Sequence, residues 1–157
     1  MLPPFEVVLQ AYAGDLHRYL VAGVGRQDAD DCFQEVMLAA LRAYPTLRDA
    51  TNLRGWLFTI AYSKAIDRHR ARARRPVPVA VPDDVAWDGV PPDHELWDQV
   101  AGLPPRQRAA VLHRFLHDLA YRDIGAIIGC SEAAARQNVR AGLASLRAGS
   151  ITEEVRT

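Results

Sequence analysis

The chain has little cysteine: two thiols in 157 residues. Cys32 and Cys130 lie far apart, each in an apolar helical context, so neither a disulfide framework nor a cysteine-based metal site is expected. No apolar run approaches the roughly 20 residues that cross a bilayer. The opening MLPPFEVVLQ carries Glu6 and no basic segment, unlike a secretion signal. Cytoplasmic residence without membrane insertion is the expectation. Also missing are a Gly-rich phosphate loop, a Ser–His–Asp arrangement, an HExxH motif and a carboxylate pair with an evident task. These absences argue against an enzyme and leave no cofactor to expect. His113 and His117 stand at a metal-ligand spacing, but no third ligand lies close in sequence.

Net charge is zero, which argues against a simple basic DNA-coating protein. The charge is segregated, however. Lys64 to Arg75 holds six basic residues against Asp67, and Pro104 to Arg147 holds seven arginines against Asp118, Asp123 and Glu132. Between them, Asp83, Asp84, Asp88, Asp93, Glu95 and Asp98 face no Lys or Arg. Two basic patches separated by an acidic segment suit a protein that touches a polyanion at two places.

Hydrophobic periodicity is helical on either side of a proline-rich stretch. Val8, Leu9, Tyr12, Leu16, Tyr19 and Leu20 mark a first helix over 5–24, stopped by Gly25. A second is expected from Asp28, with Phe33, Val36, Met37, Ala40, Leu41 and Tyr44 inside, up to Pro45. Asn52 is suited to cap a third, with Trp56, Leu57, Ile60, Ala61 and Ile66 inside. Its C-terminal half carries five arginines in eight residues, more than dipole capping requires, which points to phosphate contact. Trp56 reads as core. Tyr62 is open between core and base stacking. Pro76 to Pro92, with five prolines, reads as an extended linker able to span on the order of 55–60 Å. A helix restarts at Asp93. Another runs from Arg106 to Asp118 with Ala109, Val111, Leu112, Phe115 and Leu116 inside.

Tyr121 to Arg147 reads as two helices joined by a tight turn. Ile124, Ile127 and Ile128 form one stripe, Gly125 is small enough for a close crossing, and Gly129 ends the helix. Ser131 caps the next, which buries Ala135, Val139 and Leu143 and exposes Arg136, Gln137 and Arg140. That is helix-turn-helix grammar, although an ordinary helical hairpin has the same outline. The fold class is all-α, with two small helical domains joined by a Pro-rich linker.

In order, DADDCFQEV, RGWLFTIA with AIDRHR, and LPPRQR resemble the extracytoplasmic-function (ECF) sigma factors of bacterial RNA polymerase. The resemblance implies a region 2-like domain over 1–75, a linker over 76–92 and a region 4-like helix-turn-helix domain over 93–157. It implies an alternative sigma factor that binds core RNA polymerase and promoter DNA and is held by an anti-sigma factor. By position, Asp31, Gln34, Glu35 and Leu38 would face the clamp helices of the largest polymerase subunit. Ser63, Lys64, Asp67, Arg68 and Arg70, with Tyr62, would lie near the single-stranded −10 element. Arg136, Gln137 and Arg140, with Ser131, would meet the duplex −35 element. Ser63 stands where the family often has Asn, Ala134 where Thr is usual, Asn138 where a basic residue is frequent, and Cys32 where an aliphatic is usual. The alternatives are a stand-alone helix-turn-helix regulator, and a sigma-like adaptor that binds polymerase without reading DNA.

Overall fold

The computed structural model describes residues 1–74 and 94–156, and the described elements are helices. The expected linker, with Trp87, lies outside the described residues. Helix α1 spans Phe5–Val24 and α2 spans Arg26–Ala43, with Gly25 at φ 86° as the single residue between them. The second helix therefore starts two residues ahead of the expected Asp28. Ala29 N–H already donates to the Gly25 carbonyl at 3.0 Å, so Arg26 is helical without a side-chain cap. Asp28 still sits in the first turn, where the dipole favours it. Pro45 converts the end of α2 into a short 3-10 turn, Tyr44–Thr46. Helix α3 spans Leu53–Ala73, and the Asn52 Oδ1 accepts from Gly55 N–H at 2.9 Å, the cap expected of it.

These three helices pack on Leu16, Tyr19 and Leu20 of α1, Cys32 and Val36 of α2, and Phe58, Ala61 and Ala65 of α3. A smaller cluster at the other end gathers Val8, Ala40, Tyr44 and Leu57, with Trp56 packed against it as expected. Leu41 is not inside: it is 52% exposed.

The second half comprises α4 (His94–Ala101), α5 (Pro105–Phe115), α6 (Tyr121–Ile128) and α7 (Glu132–Arg156). Pro105 occupies the first turn of α5, where its missing N–H costs nothing. α7 packs on both α5 and α6.

The two halves share one apolar core. The cluster that holds Tyr19 and Phe58 continues through Val100, Ala109, Ala110, Leu112, Ile124, Ile127 and Ile128 to Val139. α6 lies along α3, and α5 against α1. Each large apolar side chain withdrawn from water contributes roughly 1.5–3 kcal/mol, so the contact is energetically a core and not a brush of surfaces.

This packing inverts one sequence expectation. Phe115 and Leu116 are 62% and 37% exposed, whereas His113 and His117 are 0% and 5% exposed. α5 ends at Phe115, and the chain turns at Asp118, whose φ is 49°. His117 therefore lies beyond the helix, not on it, and is carried onto Phe58 with ring centroids 4.3 Å apart.

Candidate nucleic-acid interface

The helix-turn-helix is built by local chemistry. Ile124, Ile127 and Ile128 bury the stripe of α6. Gly129 takes φ 76° and ψ 41°, a left-handed conformation that closes the helix at little cost for glycine. Gly129 N–H and Cys130 N–H both donate to the Gly125 carbonyl at 2.9 Å. Ser131 Oγ then accepts from Ala134 N–H at 3.0 Å, starting α7. Ser131 is thus a cap on the exposed start of the second helix.

On α7, Ala135 and Val139 are buried while Arg136, Gln137 and Arg140 are exposed together. Arg136 is partly held in place: its guanidinium lies 5.1 Å from the Tyr121 ring centroid and 3.6 Å from Glu132 Oε1. Arg114 approaches the same ring at 5.0 Å. Asn138 donates to the Ala134 carbonyl at 3.0 Å and so bonds back to its own helix.

A second face lies on α3. Ser63, Asp67 and Arg70 are exposed, Lys64 is half-buried, and Tyr62 packs partly against the core. Arg68 is engaged by α2: its Nη2 donates to Glu35 Oε1 at 2.7 Å, and its Nη1 lies 3.9 Å from Asp28 Oδ1. Arg72 Nε pairs with Asp28 Oδ2 at 2.7 Å. Of the five arginines read as a phosphate track, two are therefore paired to carboxylates of α2.

A third face runs along α2. Asp31, Gln34, Glu35 and Leu38 are all exposed at spacings of three and four, hence on one side of the helix. Leu41 continues the line. The sequence reading placed it inside, yet its spacing of three from Leu38 was a signal for the outer stripe. Glu35 joins this face to α3 through Arg68.

Burial sets the titration of the remaining groups. The Cys32 thiol is pushed up to about 11, chiefly by desolvation, so it is a packed thiol and not a poised nucleophile. Burial, then the Arg108 guanidinium, pushes His69 down to about 4. Burial pushes His113 down to about 3. Among the described residues no group of three or more His, Cys, Asp or Glu side chains is placed to hold a metal, and no helix is long and apolar enough to cross a membrane.

Residues 8–75 match Sigma-70 region 2, and residues 93–146 match Sigma-70, region 4. The ECF RNA polymerase sigma factor ShbA of Streptomyces griseus subsp. griseus is 31% identical over 140 residues, covering 80% of this chain and 73% of that protein. The chain belongs to the ECF RNA polymerase sigma factor family.

Other relatives of this sigma factor include the ECF RNA polymerase sigma factor SigE of Mycolicibacterium smegmatis and RpoE of Cereibacter sphaeroides, 29% and 27% identical over 161 and 157 residues. Those alignments cover 93% and 91% of this chain, 61% of SigE and 84% of RpoE. In fold it is similar to the solved sigma factor RpoE in complex with the anti-sigma factor NepR from Bartonella quintana (TM-score 0.74, 20% identical, 93% of this chain and 96% of that one). It is similar also to CnrH in complex with the cytosolic domain of CnrY (TM-score 0.73, 19% identical, 94% and 88%). The sigma factor acts in transcription initiation as an alternative sigma factor, and neither the stand-alone regulator nor the adaptor is favoured. Its family consists of DNA-binding initiation factors.

Proposed function

We propose that the three exposed faces divide the work of promoter choice. The outer stripe of α2, Asp31, Gln34, Glu35, Leu38 and now Leu41, docks on the clamp helices of the largest subunit of core polymerase. Ser63, Lys64, Asp67, Arg68 and Arg70, with Tyr62, hold the opened −10 strand. Arg136, Gln137 and Arg140 enter the −35 major groove behind the Ser131-capped start of α7. Arginine can pair bidentately with guanine and glutamine with adenine, while other arginines hold phosphates. The observation that carries this reading is the joint exposure of those three long donors on the second helix of a complete helix-turn-helix. The working units are 1–75 and 93–157, with 76–92 as the tether. The chain works in the cytoplasm and carries out no chemistry of its own.

An anti-sigma factor restrains the free protein. Of two solved structures of the same fold, RpoE is in complex with the anti-sigma factor NepR and CnrH with the cytosolic domain of CnrY, and the exposed stripe of α2 offers a partner both charge and apolar surface.

Run-off transcription with purified core polymerase, from the promoter upstream of the chain's own gene, tests the reading. A discrete transcript that depends on the protein is expected. Absence of any binding to core would sink it. Binding to core without a transcript would return the adaptor.

A further inference from the structure

The seam between the two halves is fastened by three histidines whose burial favours the neutral ring. His117 Nε2 lies 3.1 Å from the Asp15 carbonyl oxygen. A carbonyl only accepts, so Nε2 carries the hydrogen, and in the neutral ring the His117 Nδ1 is then a lone pair. His113 Nδ1 lies 3.4 Å from that lone pair and donates to it. The remaining nitrogen, His113 Nε2, is then unprotonated, and it is buried without a hydrogen-bond partner among the described residues. Both rings stack on the first half, His113 on Tyr19 (4.5 Å, 17°) and His117 on Phe58 (4.3 Å, 30°).

The third ring works in the opposite direction across the same seam. Arg108 of α5 donates through Nη1 to the Gly23 carbonyl at 2.7 Å and to His69 Nε2 at 2.8 Å. A guanidinium only donates, so His69 must accept with a lone pair. Adding a proton to any of the three rings removes an acceptor or places a charge in apolar packing.

The charged groups around these rings mostly oppose protonation. His113 faces Tyr19 of α1, Arg54 of α3 and His117; His117 faces Asp15 and Arg18 of α1 and Arg54 of α3; His69 faces Arg108 of α5 and Arg72 of its own helix. Asp15 is the one anion in the set, and it is already paired with Arg18 and lies 3.8 Å from Arg54.

The closed arrangement is incompatible with the proposed reading of two promoter elements. α6, the first helix of the helix-turn-helix, rests on α3. Elements named for positions −10 and −35 are about 25 base pairs apart, or about 85 Å along duplex at 3.4 Å per pair. The halves must part before both can be read. We propose that the His69, His113 and His117 contacts are an acid-opened clasp: neutral, they hold the sigma factor shut, and protonated, they release its two halves for polymerase and promoter. The regulatory meaning rests on the sigma reading; the opening itself does not.

The sign follows from linkage. Each ring is depressed in the closed form and returns to about 6.5 once exposed. The closed form is favoured above that value and loses ground as pH falls below it, toward the closed-form value. Between pH 7.5 and 5.5, His69 and His113 each shift the opening equilibrium about tenfold, about a hundredfold together, with His117 adding to this.

Small-angle X-ray scattering on the full chain tests the clasp, with circular dichroism alongside to follow helix content. A closed chain of this length has a radius of gyration of about 15 Å. The radius is expected to grow between pH 7.5 and 5.5 while helix content holds. H113N/H117Q keeps donor nitrogens at the Nδ1 and Nε2 positions without titrating, and should expand less; H69Q removes its own share independently. Relative to these variants, wild-type affinity for core polymerase should rise about tenfold or more across the same range, because affinity scales with the open fraction. A constant radius, an expansion that accompanies helix loss, or the same pH response in wild type and both variants would overturn the clasp. Expansion as expected, with no binding to core at any pH, would uphold the clasp and remove the sigma reading.

Discussion

Gly125→Ala sets two physical effects against each other with opposite signs. Gly125 is in α6, and replacing a helical glycine by alanine should stabilise by about 1 kcal/mol on propensity alone. The structure argues otherwise. A Cβ at Gly125 would lie 2.6 Å from the Cys130 carbonyl oxygen and 3.1 Å from that of Ser131. These are backbone atoms of the turn, so they cannot swing aside as a flexible side chain would. Relief requires moving the turn, at an overpacking cost of about 1–3 kcal/mol. It also strains the two hydrogen bonds that Gly129 and Cys130 donate to the Gly125 carbonyl, each contributing about 0.5–1.5 kcal/mol. The net expectation is a loss of about 3 kcal/mol. For a chain of this size that lowers the midpoint of thermal unfolding by about 6–12 °C. Far-UV circular dichroism of the two purified proteins reads this directly. The variant should also bind −35 duplex more weakly, since α7 is re-aimed with the turn. A midpoint raised by about 2–4 °C would show that propensity governs and that the tight crossing is not real.

Three further outcomes are expected. Arg108→Ala removes donations to Gly23, His69, Ala101 and Leu103 and should cost about 3 kcal/mol by urea unfolding. Arg108→Lys should recover less than half, since one ammonium cannot reach all four acceptors; a loss under about 1 kcal/mol for the alanine variant would show the seam to be weak. Arg140→Ala should relax discrimination at one −35 position by about 1–3 kcal/mol in competition binding. An equal loss on every sequence would mark Arg140 as a phosphate contact instead. Iodoacetamide at pH 8, followed by mass spectrometry, should modify Cys130 well before Cys32, because Cys32 is fully buried and its thiol lies up at about 11. Equal rates would contradict that burial.

What was legible in the sequence was local. Asn52, Gly129 and Ser131 act through atoms within three or four residues, and each does in the structure what its chemistry suggested. The stripes of α1 and α6 follow the same logic. The start of α2 was misread because the aspartates at 28, 30 and 31 look like a cap, while the true boundary is a glycine with no side chain to announce it. Leu41 was assigned inward because apolar periodicity does not say which of two stripes faces a core. The larger miss was the end of α5. Phe115 and Leu116 read as buried and are exposed, while His113 and His117, read only for their spacing, are buried in their place. The partners that reverse it, Tyr19 and Phe58, belong to the other half of the chain, so no window around His113 contains the cause. The assignment of faces to polymerase and DNA comes from family resemblance; what the structure adds is the exposure of the α2 stripe and of Arg136, Gln137 and Arg140. The pairing of Arg68 with Glu35 across two of those faces was not legible.

The seam is also a statement about time. Its pairs are remote in sequence: 39 residues separate His69 from Arg108, 63 separate Arg54 from His117, and 102 separate Asp15 from His117. Loop-closure entropy grows with the logarithm of such spans, so the last pair costs about 0.9 kcal/mol more to close than the first. The helices and caps of each half are far more local and form sooner. On the ribosome, about 40 residues must still be made after α3 is finished before His113 exists, which takes about 2–8 s at 5–20 residues per second. The nascent chain thus carries a finished first half, with its outer α2 stripe on display, for seconds before the second half can shut upon it.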